Sequence, residues 1–455
     1  MNNKGFLFVL GIGLIFFLSL DFRLFSQEVN IDGSDYKSRR DKLCSLISDG
    51  VAVIVSPPSS GAVPPNPDSD FYYFTGVGIP EAILILVPEK IAKKGSSPEY
   101  WKTTLYLPPR DPRRGVWSDV QLFSGKEAEK ATGIENTADL DTFYAAVSRL
   151  SNITDVVYLQ DGARVASGQE LPPELRFAEN IKKILPGVRI KNLSPILGEM
   201  KWVKSPKEIA IMRRACEITA DTFKEVARVT QPGLYEYEIE AAVNYVFKKN
   251  GCLRTTFAVI GSGPNSVILH HFKNDRLMKN GELLLIDIGT FYKECSTDLS
   301  RTIPVSGRFD PEQRKIYNIV LEAENKAISM IRPGVTLSEL HLAALEVIEK
   351  AGYGQYAIQP SLFFNHTLNG GSEFKPTSVG LSSPYRLNDK PLVAGSMLVV
   401  EPGIYIPEKN LGVRIEDDIL VTKNGYEILT KNAPREVEDI EKLMDEEAAL
   451  LKSNR

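Results

Sequence analysis

Carboxylates placed inside apolar, strand-like runs constrain this chain more than any other feature. Residues 283–302 read LLLIDIGTFYKECSTDLSRT, with Asp287 inside a Leu/Ile run and Asp298 eleven residues later. A buried carboxylate without a partner is strongly unfavourable. We therefore expect positive charge between these two acids.

Two more acids repeat the pattern downstream. Glu401 ends the apolar run MLVV, and Glu416 lies within VRIEDDILV. Hard divalent cations such as Mn²⁺ and Mg²⁺ favour carboxylate oxygens as ligands. Four acids on apolar strands therefore predict a divalent-metal site, although each acid alone would fit a solvated turn.

The length and net charge of the chain limit the number of domains and the classes of function that it can have. Its 455 residues suffice for two or three domains, and a net charge of −4 gives no basic footprint for nucleic acid. The four cysteines show no C-x-x-C spacing, so neither a zinc knuckle nor a disulfide framework is indicated. Cys295, between the two aspartates, is predicted to be a small buried filler.

The N-terminus departs from that of a plain cytosolic enzyme. Lys4 precedes the sixteen-residue apolar run 5–20. A short basic region before such a run is typical of an export signal, and the run is short for a membrane span. Residues 24–26 (LFS) make a poor cleavage site, so residues 1–27 are predicted to be a signal peptide or an uncleaved anchor. The protein is expected to be periplasmic or secreted, or held in the inner membrane by residues 5–20.

The rest of the chain divides into two α/β units. Residues 28–195 carry strand-like runs, GVAVIV, FYYFTGV, AILILV, TTLYL and VVYL, between turn signals. Residues 200–455 begin with Ser205 and Pro206, a strong helix start. Apolar periodicity and Gly or Pro stops predict helices from there to about Thr230, and over 237–250, 311–331, 337–350 and 437–451.

Blocks in a fixed order give the chain a resemblance to a known family. The chain contains, in this order, the five blocks KSPKEIAIMRRACEITA, VIGSGPNSVILHH, LLLIDIGTFYKECSTDLSRTIPVSGRF (283–309), MLVVEPGIYI and GVRIEDDILVT. In these five blocks and their order the chain resembles the Xaa-Pro aminopeptidase and prolidase family of pita-bread metallopeptidases. NPDSDFYYFTGVGIPEAILILV resembles the N-terminal domain of aminopeptidase P. The resemblance implies an α/β (α+β) protein, with an aminopeptidase-P-type domain over 28–195 and a pita-bread catalytic domain over 200–455.

The family's metal ligands carry over at four positions. The resemblance implies the set Asp, Asp, His, Glu, Glu, of which Asp287, Asp298, Glu401 and Glu416 are present. It implies two Mn²⁺ ions that share bridging carboxylates and activate a water, with one ion or another divalent metal as alternatives. Glu401 and Glu416 would also take part in proton transfer to the leaving nitrogen.

The fifth ligand, a histidine, has no counterpart in place. In FFNHTLNGGSEFKPTSVGLSSPYR, His366 matches the first His of the family motif, which lies near the substrate. Gly370 or Thr377 takes the ligand position, depending on the alignment. Three outcomes follow: His366 or a water completes the site, one ion binds and activity is impaired, or hydrolysis proceeds without metal as in creatinase-like relatives.

Other residues match positions that line the family's site. His270, in ILHH, matches a His beside the substrate, with a hydrogen-bonded core histidine as the alternative. Tyr405 and Arg414 match lining positions, and Arg414 could instead pair with a ligand carboxylate. Trp117 resembles a loop aromatic that reaches a neighbouring subunit, and a homo-oligomer is expected.

The resemblance predicts a metallo-aminopeptidase. Its substrates would be peptides with Pro at the second position, from which it removes the first residue. A prolidase that cleaves Xaa-Pro dipeptides is the near alternative. A catalytically impaired homologue that acts as a binding protein is the alternative from a different class.

Overall fold

A computed structural model describes residues 29–56, 69–93, 102–110, 122–160, 173–293, 295–357 and 390–448. The predicted signal or anchor segment, Trp117 and His366 lie outside these ranges. Among the described helices, none combines the length and apolar character that a membrane crossing requires.

The N-terminal unit is built on one mixed sheet. Its strands are β1 (Val51–Val55), β2 (Ile83–Leu86), β3 (Thr104–Leu107), β4 (Asn136–Asp139), β5 (Val156–Leu159) and β6 (Arg189–Asn192). They lie in the order β4-β3-β2-β1-β5-β6. Its helices are α1 (Gly33–Leu46), α2 (Ser69–Thr75), α3 (Glu89–Ala92), α4 (Lys126–Thr132), α5 (Phe143–Arg149), α6 (Pro173–Ile184) and α7 (Ser194–Trp202).

Apolar residues cover both faces of this sheet. In β1, Ala52 and Ile54 belong to a cluster with Leu43 of α1. Val51 and Val53 belong to a second cluster with Phe143 of α5. Alternate residues of a strand face opposite sides, and a sheet buried on both sides needs a continuous apolar run. The sequence GVAVIV is therefore what this position requires.

One predicted strand of this unit is wrong. FYYFTGV does not form a strand, because residues 69–75 form helix α2. Phe71 and Phe74, three residues apart and on one helix face, are both fully buried. Aromatic residues favour strands, but this preference yields to packing against neighbouring elements. The predicted strands AILILV and TTLYL are confirmed as β2 and β3.

The C-terminal unit combines five described helices with nine strands. The helices are α8 (Pro206–Val229), α9 (Glu236–Lys249), α10 (Pro311–Met330), α11 (Leu337–Lys350) and α12 (Val437–Met444). The strands are β7 (Arg254–Ser262), β8 (Leu283–Tyr292), β9 (Cys295–Ser296), β10 (Leu299–Pro304), β11 (Met397–Val400), β12 (Gly403–Ile406), β13 (Leu411–Arg414), β14 (Asp417–Thr422) and β15 (Gly425–Ile428). They pair as β10-β8-β7 with β9 on β8, as β11-β14-β15, and as β12-β13.

The helix starts follow local capping chemistry. The side chain of Ser205 accepts from the backbone N–H of Glu208, and the side chain of Glu208 accepts from the backbone of Ser205. This reciprocal cap confirms the predicted start of α8. The predicted C-terminal helix is shorter than expected and ends at Met444, where the Asp445 carboxylate binds Arg308 at 2.7 Å.

The two units pack directly on each other. Arg39 of α1 donates to Glu208 of α8 at 2.9 Å. Lys207 of α8 donates to Asp35 of α1 at 2.7 Å. One apolar cluster contains residues of both units, among them Cys295, which is fully buried as predicted.

Candidate metal centre

Strand register brings the predicted acids to one place. Asp287 of β8 lies opposite Ser300 of β10, and Asp298 is the residue just before β10 begins. Val400 of β11 lies opposite Asp417 of β14. Glu401 directly follows β11, and Glu416 directly precedes β14. One carboxylate from the middle of β8 and three from residues beside the ends of β10, β11 and β14 therefore lie near a common centre.

Three of the acids form a tight cluster. Asp287, Asp298 and Glu416 each place a carboxylate oxygen within 4.8 Å of those of the other two. Glu401 lies outside this closest set, but its charge still raises the pKa of Asp298. The structure thus brings together all four acids that the sequence singles out.

Burial and mutual repulsion disfavour the ionised form of these acids. Burial, followed by the charge of Asp287, raises the pKa of Glu416 to about 8. Burial, followed by the charge of Glu416, raises the pKa values of Asp298 and Glu401 well above their usual range. Such shifts are the expected result of gathering like charges away from water.

Each of the four acids also has one buried oxygen that no hydrogen bond satisfies among the described residues. These atoms are Asp287 Oδ1, Asp298 Oδ1, Glu401 Oε1 and Glu416 Oε1. Buried polar atoms without a partner are uncommon and call for an explanation. A divalent cation would satisfy these oxygens and offset the repulsion, and an all-carboxylate set suits a hard ion. The residues present therefore fit the metal that the resemblance implies.

Arg414 contributes a positive charge to the edge of this cluster. Its Nη2 donates to Asp287 Oδ2 at 2.5 Å, and its Nη1 donates to the Tyr405 hydroxyl at 3.1 Å. Its Nε donates to Ser300 Oγ at 2.8 Å, and that hydroxyl donates onward to Glu416 Oε2 at 2.7 Å. Pairing of Arg414 with a predicted ligand carboxylate is therefore what the structure shows.

Several supporting residues escaped the sequence analysis. Ser300 links Arg414 to Glu416, as described above. Asp418 Oδ2 accepts from the backbone N–H of Asp298 at 3.2 Å and from Cys216 Sγ at 3.3 Å. Residues two apart along a strand share a face. Ser300 is two residues from Asp298, and Asp418 is two residues from Glu416. This spacing could therefore have identified Ser300 and Asp418 from the sequence.

The residues that follow Ser300 and Glu416 in the chain, Arg301 and Asp417, face the other way. Arg301 and Asp417 form a fully buried ion pair at 2.8 Å. Arg301 Nη1 also donates to the backbone carbonyl of Glu416 at 2.6 Å. The chain behind the acid cluster is therefore fixed by a second set of charges.

His270 is exposed, so its alternative interpretation as a core histidine is wrong. Its ring lies 6.0 Å from that of Phe272. The adjacent Leu269 packs against a cluster that contains Tyr405, which places this loop beside the metal centre. Of the two adjacent histidines, His271 is the buried one, and its Nε2 lies 3.2 Å from Glu236. The site roles predicted for His270 and His366 stay predictions.

Comparison with known proteins agrees with this geometry. Residues 36–158 match the N-terminal domain of aminopeptidase P, and residues 210–423 match metallopeptidase family M24. Xaa-Pro aminopeptidase of Escherichia coli K12 is 31% identical over 451 residues, covering 91% of this chain and 98% of the relative. Xaa-Pro dipeptidase of Pyrococcus horikoshii is 33% identical over 329 residues, covering 72% and 84%.

A solved structure supports the same relationship. Zinc-substituted Escherichia coli aminopeptidase P in complex with product aligns with a TM-score of 0.77 at 28% identity, covering 91% of this chain and 99% of that one. The predicted fold, an aminopeptidase-P-type domain followed by a pita-bread domain, is thereby confirmed. The exact domain limits, 28–195 and 200–455, stay predictions. The chain belongs to metallopeptidase family M24 and carries the N-terminal domain of aminopeptidase P.

Proposed function

We propose that this protein removes the N-terminal residue from peptides whose second residue is proline. The observation that carries the proposal is the convergence of four acids, each with a buried oxygen lacking a hydrogen-bond partner among the described residues. The names of the relatives, Xaa-Pro aminopeptidase and Xaa-Pro dipeptidase, supply the substrate class. The metal would be held by Asp287, Asp298, Glu401 and Glu416.

The chemistry divides between the ions and the side chains. Divalent cations at such a cluster supply Lewis acidity, which lowers the pKa of water and polarises a carbonyl. Hydrolysis adds water to the carbonyl carbon, breaks the bond to the proline nitrogen and delivers a proton to that nitrogen. Glu401 and Glu416 are the groups that would hold and pass this proton. Arg414 orients Asp287 and Tyr405 through its hydrogen bonds.

We propose Mn²⁺ as the metal, because the four ligands are all carboxylates and manganese is a hard ion. Two ions are expected from the family. One ion is the alternative if neither His366 nor a water replaces the missing histidine ligand. His270 is proposed to contact the substrate.

Metal content and hydrolysis, measured on one sample, test this proposal. Purified protein is loaded with Mn²⁺, its bound metal is counted, and cleavage of Arg-Pro-Pro is followed. We expect about two ions per chain, with turnover that Asp298→Ala and Glu401→Ala each abolish. Glu346→Ala, which changes an exposed acid of α11, is the control and should leave both readings unchanged.

The same assay separates the alternatives. Faster cleavage of the dipeptide Arg-Pro than of Arg-Pro-Pro would indicate a prolidase. One ion or none, with no turnover on either substrate, would refute the proposal. That result would favour an impaired homologue that acts as a binding protein.

We also propose that the protein is exported or anchored in the inner membrane through residues 5–20, and that it forms homo-oligomers. The sequence of the apolar run supports the first proposal, and the resemblance supports the second. N-terminal sequencing of the native protein would show whether residues 1–27 are removed. Light scattering of the purified protein would give its mass in solution.

A further inference from the structure

A buried carboxylate outside the metal centre holds the base of the loop that carries His270. Glu236, at the start of α9, is fully buried. Its Oε1 accepts from the backbone N–H and the hydroxyl of Ser262, at 2.7 and 2.8 Å. Its Oε2 accepts from the backbone N–H of Arg276 at 3.1 Å and lies 3.2 Å from His271 Nε2.

These contacts join the two ends of one segment. Ser262 ends β7, and Arg276 lies 14 residues further along. Asn265, near the start of the segment, donates to both oxygens of Glu236 at 3.1 Å. A single side chain therefore fixes both ends of the loop, 263–275, and contacts two points inside it, Asn265 and His271.

The same loop is held against the metal centre. The backbone N–H of Gly412, on β13 with Arg414, donates to Ser266 Oγ at 2.9 Å. Leu269 packs on the cluster of Val259, Leu285 and Tyr405. His270 follows Leu269 directly in the chain and is exposed.

We infer that Glu236, together with His271, is a positioning residue that sets the place of His270 beside the substrate. This inference rests on the proposed function, since it assumes that His270 contacts the peptide. Hydrogen bonds to an ionised acceptor are stronger than neutral ones, so a buried carboxylate is an effective clamp. Misplacing a substrate-contacting group by about 1 Å can lower the rate on the order of 100-fold.

Glu236→Gln is a sharp test because each carboxylate oxygen faces a backbone N–H. Whichever way the amide is turned, its NH₂ group meets a donor at Ser262 or at Arg276. We expect kcat/KM for Arg-Pro-Pro to fall roughly 10- to 100-fold, with the bound metal unchanged. In a His270→Ala background, Glu236→Gln should lower kcat/KM little further, because both changes remove the same function, the contact of His270 with the substrate.

Glu208→Gln is the matched control. Glu208 is another buried acid in the first turn of a helix and accepts from the backbone N–H of Ser205 at 2.6 Å, but it contacts Arg39 and not the loop. It should lower thermal stability and leave kcat/KM unchanged. If Glu236→Gln fails to fold, His271→Asn replaces it, with the same non-additivity with His270→Ala expected. Additive effects of the two changes on kcat/KM would overturn the inference.

Amide hydrogen exchange gives a readout that does not need turnover. Residues 263–275 should lose protection in Glu236→Gln, whereas they should keep it in Glu208→Gln. If the wild-type protein shows no hydrolysis, the proposed function fails, and the exchange result still decides whether Glu236 holds the loop. Unchanged exchange in Glu236→Gln would overturn the inference in either case.

Discussion

The guanidinium of Arg414 lies 2.5 Å from the carboxylate of Asp287, Nη2 to Oδ2, and both residues are buried. A resident cation therefore sits at the edge of the acid cluster, where it offsets part of the repulsion among the carboxylates. The same guanidinium reaches Glu416 through the hydroxyl of Ser300. Arg414 thus connects two predicted metal ligands that are far apart in the chain.

Replacing Arg414 with Met should strongly destabilise the metal-free protein. Removing one partner of a buried ion pair costs about 3–5 kcal/mol, because the other charge is left without compensation. Urea unfolding with a chelator present, at about pH 8, measures the loss. Arg213→Met, which breaks an exposed pair with Glu427, should cost at most about 1 kcal/mol. Equal losses in the two variants would contradict this account.

The stability of the metal-free protein should fall as the pH rises through the neutral range. The pKa of Glu416 in the folded protein is raised to about 8, and those of Asp298 and Glu401 are raised as well. The unfolded chain ionises these groups near pH 4. The folded protein therefore retains protons that the unfolded chain has lost, and raising the pH from about 4.5 to 8 favours unfolding.

Urea midpoints at several pH values, with chelator or with Mn²⁺, check this dependence. Metal binding should release protons and flatten the slope, because the ion needs deprotonated ligands. A metal-free midpoint that rises over the same interval would show that the acids are ionised without a cation.

Ser300→Ala should weaken metal binding. Glu416 would lose its hydroxyl donor, and Arg414 would lose one of its acceptors. Loss of a residue that orients a metal ligand typically costs about 10- to 100-fold in affinity. Titration with Mn²⁺ against a competing chelator measures it. Ser396→Ala, another buried serine that donates to Val393, should leave the affinity unchanged.

Gly289→Ala should disturb the approach of the two predicted aspartate ligands. A Cβ at this position would lie 2.4 Å from the backbone oxygen of Thr297, the residue before Asp298. Overpacking of this kind typically costs about 1–3 kcal/mol, and displacement of Asp298 should lower Mn²⁺ affinity as well. Gly187→Ala, where a Cβ meets nothing within 4 Å, is the control for both measurements. No loss at Gly289 would mean that the β9–β10 connection can move freely.

Local patterns were sufficient for the regular elements and for the acid cluster. Ser205 and Glu208 cap α8 within four residues of chain, so the start of this helix follows from sequence alone. Asp287, Asp298, Glu401 and Glu416 stand out because carboxylates inside apolar strands need a compensating charge. Both signals depend on neighbours along the chain.

The sequence by itself therefore determined the fold class, the family and the four acids of the candidate metal centre. The tertiary structure decided what depends on distant partners. It placed FYYFT in a helix packed on α1, paired Arg414 with Asp287 across 127 positions, and set Glu236 under the loop of His270. Strand propensity is a weak, local preference that packing overrides. Strand register and the alternation of side chains between sheet faces determine which buried charges meet, and only the folded chain establishes them.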